Sequence, residues 1–153
     1  MPKAPIDTEA VLRTLNKIME FELAGVVRYT HYALMVYGYN RIPIVSWLRD
    51  QATESLAHAR EAGELVTWLG GHPSLGIGPL LETEQHDIGD ILRESLRHEQ
   101  ESLLAYESLL ELGEGTNGRL EEYARDMIAG EVAHQDEVDK MLRRPGQTGV
   151  SGA

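Results

Sequence analysis

The stretch AGEVAHQDEV, residues 129–138, places Glu131 three positions before His134. On one side of a helix, a carboxylate and an imidazole can form a solvated pair, or they can offer oxygen and nitrogen ligands to a cation. Met127 and Val138 share the same 3-4 spacing, so Glu131 and His134 are predicted to face a hydrophobic interior. Two polar groups placed there need a partner that the apolar residues cannot supply.

Polar residues also interrupt the core-facing lines of three other segments with helical spacing. Glu22 interrupts the first line and Glu99 the third, while Gln51, Ser55 and His58 lie on the second. Burying an unpaired carboxylate is costly, and three carboxylates close together also repel one another. No Lys or Arg lies on any of the four lines, so one or two divalent cations are predicted to supply the missing positive charge. Mixed carboxylate and imidazole ligands suit iron, manganese or zinc, and several carboxylates favour a pair of irons.

These residues are positioned by four long segments that Pro and Gly residues separate. The predicted helices run from Asp7 to Tyr37, from Pro43 to Gly70 and Gly71, from Asp87 to Leu112, and from Asn117 to Arg144. Four amphipathic helices predict an all-α four-helix bundle over residues 1–144, with a flexible tail at 145–153. The longest interior connection follows the second helix, which predicts a crossover along the bundle between helices two and three.

The composition limits the classes of partner. A net charge of −11 argues against nucleic acid and anionic membranes, because both attract basic surfaces. The chain has no cysteine, so any metal site must use histidine and carboxylate ligands. No apolar run approaches the ~20 residues of a membrane span. The N-terminus MPKAPIDTEAVL lacks the pattern of a secretory signal, so a cytoplasmic location is expected.

The chain resembles the bacterioferritin branch of the ferritin-like superfamily over roughly residues 10–143. The resemblance is carried by the segments LNKIMEFELAGVVRY, ESLAHARE, LRHEQE and AGEVAHQDEV. That resemblance implies a di-iron centre with one Glu from each of two helices and a Glu-x-x-His motif from each of the other two. It also implies a ferroxidase that binds Fe(II), oxidises it with dioxygen or peroxide, and acts in iron detoxification or storage. Such bundles are expected to form homodimers or larger homo-oligomers. Position by position, the implied metal ligands are Glu22, His58, Glu99, Glu131 and His134, with Tyr29 beside the centre as a possible electron donor.

The sequence departs from the family pattern at three places. The bridging Glu expected three positions before His58 is Ser55, and the available carboxylate is Glu54, four positions before His58. Glu54 is a candidate ligand if the helix is overwound, rotated or contains a π-bulge, and is otherwise a surface or outer carboxylate. Leu56 stands where bacterioferritins have the methionine that binds haem, so haem is not expected. The Gly-containing tail replaces the short fifth helix, which makes a storage cage doubtful.

The sequence is also compatible with other functions. A structural or mononuclear metal-binding bundle without ferroxidase activity, or an interaction module, is favoured by Ser55 in place of the bridging Glu. Another di-metal oxidase acting on an organic substrate would need an access pocket to the centre. Tyr29 could equally be a core residue whose hydroxyl is hydrogen-bonded.

The sequence pattern does not place the remaining histidines at the predicted metal site. His31, His72 and His98 fall off the core-facing lines and are predicted to lie on the surface. His86 is predicted to help start helix three. The acidic run LLETEQHD is predicted to be a solvated connection, although an acidic loop could also feed cations inward.

Overall fold

The computed structural model describes residues 5–80 and 82–149 of the 153-residue chain. It contains four α-helices: α1 Thr8–Met35, α2 Arg41–Trp68, α3 Ile88–Gly113 and α4 Gly118–Leu142. These bounds agree with the predicted helices to within a few residues, and no strand occurs in the described ranges. Residues 1–4 of the predicted bundle and 150–153 of the predicted tail lie outside the described residues.

Side-chain caps explain where three of the helices begin. The Asp7 carboxylate accepts a hydrogen bond from the backbone N–H of Ala10, and Asn117 accepts one from the N–H of Leu120. Asp87 does the same for the N–H of Gly89 at the start of α3. Each cap satisfies one of the N–H groups that a first helical turn leaves without an intrahelical partner.

The connection between α2 and α3 follows α1 along its length. Asn16 accepts a hydrogen bond from the backbone N–H of Ser74 at 2.8 Å, and the N–H of Gly78 donates to the Glu20 carbonyl at 2.8 Å. Further along, Glu82 reaches His31 near the end of α1. The chain therefore returns to the C-terminal end of α1 before α3 begins, which is the predicted long crossover.

Two apolar clusters fill the two halves of the bundle and leave a polar layer between them. One half holds Val11, Leu15, Ile18, Met19, Ala59, Ala62, Leu65, Val66, Ala105, Tyr106, Leu109, Leu120 and Ala124. The other half holds Tyr29, Tyr32, Ala33, Val36, Val45, Leu48 and Ile91. Burial of these side chains is the main force that holds the helices together, and it fixes the depth at which the polar residues meet.

Beyond Leu142 the described residues contain only turns and irregular structure, so the described part of the chain has no fifth helix. No described helix is both long enough and apolar enough to pass through a lipid bilayer.

We predict that Leu109→Ala lowers the free energy of unfolding by about 2–5 kcal/mol, because Leu109 is fully buried in the first apolar cluster. The matched control is Leu104→Ala on the same helix, where the side chain is 62% exposed. This control should change stability by less than about 0.5 kcal/mol in urea unfolding. Equal losses for the two variants would contradict the described packing of α3.

Candidate metal centre

A cavity of about 110 Å³ lies in the polar layer, and all four helices line it. Its walls contain all seven residues that the sequence analysis singled out: Glu22, Tyr29, Glu54, His58, Glu99, Glu131 and His134. Gln51, Ser55, Asp126, Met127 and Gly130 complete the lining. The structure therefore brings the predicted site residues together around one small space.

Tyr29 connects the ligand candidates of α3 and α4. Its hydroxyl donates a hydrogen bond to Glu99 Oε1 at 2.6 Å and lies 3.2 Å from His134 Nε2. The Ser95 hydroxyl donates to the Tyr29 oxygen at 2.8 Å. Burial, then the charge of Glu99, raises the pKa of Tyr29 well above 10.0, so the phenol keeps its proton. Tyr29 thus orients Glu99 and His134 in the resting protein.

The ring of Trp47 supports His134 from the other side. The two rings are stacked with centroids 6.0 Å apart and an interplanar angle of 3°. Tyr29 meets both rings edge-on. The imidazole is therefore held between an aromatic face and a hydroxyl, which limits its rotation.

Glu22 and His58 form the opposite side of the cavity. The Tyr106 hydroxyl donates to Glu22 Oε1 at 2.8 Å, and His58 Nδ1 lies 3.6 Å from Glu22 Oε2. His58 Nε2 lies 3.7 Å from Glu54 Oε1. Burial alone would lower the pKa of His58, but the interaction of its N–H with the Glu22 carboxylate and the charges of Glu22, Glu54 and Glu61 outweigh burial and raise the pKa. The imidazole consequently favours its cationic form between the carboxylates.

Glu99 and Glu131 titrate as a pair. Burial, the hydrogen bond with Glu99, and the charges of Glu99 and Glu22 raise the pKa of Glu131 far above 4.5. Burial would also raise the pKa of Glu99, but the hydrogen bond from Glu131 and the charges of His134 and Arg28 outweigh it and lower the pKa. Without a bound cation, Glu131 therefore keeps the proton and Glu99 is ionised. One oxygen of Glu131, Oε1, is buried and has no hydrogen-bond partner among the described residues.

Glu54 reaches the cavity from a regular helix. The α2 backbone is α-helical from Arg41 to Trp68, so the overwinding or π-bulge considered from the sequence is absent there. Ser55 is buried, and a Cβ placed on Gly25 would lie 2.8 Å from its hydroxyl. This close approach of α1 and α2 favours a small residue at position 55. The Glu54 side chain remains 57% exposed, so it stands at the rim of the cavity.

A buried arginine corrects the charge balance expected from the sequence. Arg28 is only 4% exposed, and its Nη2 lies 3.7 Å from Glu99 Oε1. None of the four predicted lines contains Lys or Arg, but α1 buries a second line of residues beside the predicted one, and Arg28 lies on it. Arg28 offsets the charge of Glu99, but Glu22 and Glu131 receive no such partner from Lys or Arg within the described chain.

α3 also buries a second line that sequence reasoning missed. His98 was predicted to lie on the surface, but it is 3% exposed, and burial followed by the charge of Arg28 lowers its pKa to about 4. Glu94 is 1% exposed on the same line. The apolar positions Ile91 and Leu109 share this spacing and are the signal that could have revealed it. His72, in contrast, is exposed as predicted.

Comparisons with known proteins agree with this architecture. A sequence model described as the ferritin-like domain matches residues 12–146. No curated protein matches the sequence at a significant level.

Several solved structures share the fold. A ferritin-like, diiron-carboxylate protein from Bacillus anthracis str. Ames is 26% identical with a TM-score of 0.84, covering 90% of this chain and 98% of that one. The dodecameric thioferritin of Bacteroides fragilis, a bacterioferritin-related protein, is 20% identical with a TM-score of 0.81, covering 90% and 86%. A bacterioferritin from Rhodobacter capsulatus, with a metal-free dinuclear site and haem iron, is 20% identical with a TM-score of 0.80, covering 91% and 86%. The predicted fold class is therefore confirmed.

We predict that Glu131→Gln stabilises the metal-free protein at pH 7 by on the order of 1–3 kcal/mol. Because the pKa of Glu131 is raised in the folded state, its contribution to the free energy of unfolding is fully present below about pH 4.5. That contribution is lost as the pH rises towards the folded-state pKa. Glutamine is neutral at every pH, so the variant does not lose this stability as the pH rises. Urea unfolding at pH 7 and at pH 4.5 measures the difference, which should be large at the higher pH only.

Glu137→Gln on the exposed side of α4 is the matched control and should leave stability nearly unchanged at both pH values. A gain for Glu131→Gln that is equal at the two pH values would contradict the raised pKa.

Proposed function

This chain belongs to the family of ferritin-like domains, and from that membership and the geometry of the central cavity we propose that it is a di-iron protein that binds and oxidises Fe(II). The activity is that of a ferroxidase using dioxygen or peroxide. The Bacillus anthracis protein of similar fold is described as a diiron-carboxylate protein, which supports the choice of iron.

The observation that carries the proposal is the buried carboxyl of Glu131. It keeps a proton because of burial and its contact with Glu99, and its Oε1 has no hydrogen-bond partner among the described residues. A cation in the cavity would take the place of that proton and give the oxygen a partner. The other donors are carboxylates and imidazoles, which suit iron. The residues present therefore fit the metal that the family implies.

The residues divide into two half-sites with Glu131 between them. On one side, Glu99 and His134 are held together by Tyr29 and would bind one iron. On the other side, Glu22, His58 and Glu54 would bind the second. Glu131 is the carboxylate whose pKa is raised by both Glu99 and Glu22, which fits a bridging position.

When bound, two Fe(II) ions supply the two electrons that reduce dioxygen to hydrogen peroxide, or hydrogen peroxide to water. The chain's own residues prepare the site for this chemistry. Glu131 and His58 would release protons on becoming ligands, and the surrounding carboxylates would favour the higher charge of the oxidised ions. Tyr29 holds Glu99 and His134 in place and lies close enough to the cavity to donate an electron.

The cavity is open to cations between α2 and α4. The exposed carboxylates in its lining, Glu54 and Asp126, come from these two helices. The net charge of −11 attracts cations to the chain as a whole, and the two carboxylates offer them ligands at this rim. Glu54 at the rim is suited to accept the ion first and to complete the second half-site afterwards.

We propose that the biological role is iron detoxification within a homo-oligomer, either a dimer or a larger assembly. The related protein of Bacteroides fragilis is dodecameric, which supports an oligomer. Large exposed apolar side chains near the α1–α2 turn, Leu34, Tyr37 and Ile42, supply a surface for such contacts. Leu56 in place of the haem-binding methionine supports a haem-free protein. Storage of a mineral core has less support.

A site that holds one metal firmly without oxidising it is the alternative. It is favoured by the unequal burial of the two half-sites, since Glu99 is 10% exposed at its side chain and Glu54 57%. Ser55 provides no carboxylate at the position where a bridging Glu is expected. A structural site of this kind would be filled by zinc.

We predict that the anaerobic protein, loaded with Fe(II) and then exposed to air, oxidises two Fe(II) ions per chain in a fast phase. Near-ultraviolet absorbance records the formation of carboxylate-bound Fe(III). Glu131→Ala and His134→Ala should abolish the fast phase, because they remove the shared ligand and one imidazole. Glu54→Ala should slow it, because the second half-site loses its rim carboxylate.

His72→Ala is the matched control, because His72 is exposed and does not line the cavity. It should keep the wild-type rate and stoichiometry of Fe(II) oxidation. Fast oxidation of one ion per chain, or tight binding with no oxidation, would overturn the di-iron proposal in favour of the single-metal alternative.

A further inference from the structure

A second group of metal-ligating side chains lies where the crossover meets α1. His31 belongs to α1, while Glu82 and His86 belong to the connection that leads into α3. One ligand atom from each residue can be chosen so that all three lie within 4.8 Å of one another. None of these residues lines the central cavity.

The three side chains converge through their ligand atoms. Glu82 Oε2 lies 2.6 Å from His31 Nε2, and Glu82 Oε1 lies 3.5 Å from His86 Nε2. Around a zinc ion with bonds of about 2.0–2.1 Å, tetrahedral ligands stand roughly 3.3 Å apart, so small side-chain adjustments would accommodate the ion. The two imidazole rings meet edge to face with centroids 5.5 Å apart.

The two imidazole nitrogens lack other partners. Nε2 of His31 and Nε2 of His86 are shielded from solvent, and neither makes a hydrogen bond within the part of the chain that the structure describes. His31 Nε2 is close to the Glu82 carboxylate but without the geometry of a hydrogen bond. Two shielded imidazole nitrogens that face one carboxylate are an arrangement that a metal ion can complete.

The backbone holds Glu82 in this position. Glu84 adopts a φ of +57°, a conformation that residues other than glycine rarely take, and its N–H donates to Glu82 Oε1 at 2.5 Å. The carboxylate is thus held towards the imidazoles by a turn with an unfavourable backbone conformation.

We propose that His31, Glu82 and His86 form a second site, which binds one divalent transition-metal ion of the zinc or Fe(II) class and ties the crossover to α1. Two histidines and one carboxylate leave coordination positions open for water or another ligand. A cavity of about 200 Å³, lined partly by Val27, Tyr32 and Leu80, adjoins His31 and Glu82 and gives room for such a ligand. The side chains of His31, Glu82 and His86 are 42%, 38% and 23% exposed, so the site lies near the surface of the bundle.

Zinc stoichiometry of the full-length protein at pH 7.5, measured by equilibrium dialysis and elemental analysis, tests the proposal. His31→Ala and His86→Ala should each bind one zinc ion fewer per chain than the wild type. Glu82→Gln keeps the side-chain shape but removes the charge, and it should weaken binding of that ion at least tenfold. When His31→Ala is added to His134→Ala, which disables the central cavity, it should still remove one further zinc ion.

His72→Ala is the matched control, because His72 is an exposed histidine of the same connection. It should bind as much zinc as the wild type. Wild-type stoichiometry in His31→Ala and His86→Ala, or an equal loss in His72→Ala, would overturn the second site. If His31→Ala removes no further zinc ion from the His134→Ala protein, the lost ion belongs to the central cavity and the second site is also overturned. Circular dichroism of each variant establishes that the helices are intact.

Discussion

The shared proton of Glu99 and Glu131 is the interaction on which the rest of the centre depends. Two apolar clusters fill the halves of the bundle and force the polar residues into one layer between them. In that layer burial and mutual repulsion keep Glu131 protonated, while Arg28 and His134 support an ionised Glu99. Burying these carboxyl groups costs free energy, which the packing of the two apolar clusters offsets. A cation would stabilise the carboxyl groups better than a proton does.

Aromatic and hydroxyl groups hold the layer rigid before any ion arrives. Tyr29 joins Glu99 to His134, Tyr106 binds Glu22, and Trp47 stacks on His134. Preorganised ligands lose little conformational freedom on binding, which favours tight and specific sites. Glu54 stands at the exposed rim, 57% exposed at its side chain, and the behaviour of the second half-site depends on it.

Much of this arrangement could be predicted from the sequence. The caps Asp7, Asp87 and Asn117 mark helix starts, and one apolar line per helix was enough to direct the central residues inward. The sequence did not reveal the burial of Arg28, Glu94 and His98, because α1 and α3 each bury two lines of residues and only one line per helix was predicted. The width of a buried helix face depends on which helices pack against it. The position of Glu54 depends on the close approach of Gly25 to Ser55, which no local pattern encodes.

The most direct test of the central claim is the number of protons released when the cavity binds Fe(II) under anaerobic conditions. Calorimetry at pH 7.5 in two buffers with different protonation enthalpies gives that number. A net release that includes the proton of Glu131 is expected, and Glu131→Gln should release about one proton fewer. Binding without proton release, or an unchanged release in Glu131→Gln, would contradict the exchange of a proton for a metal ion at this carboxyl.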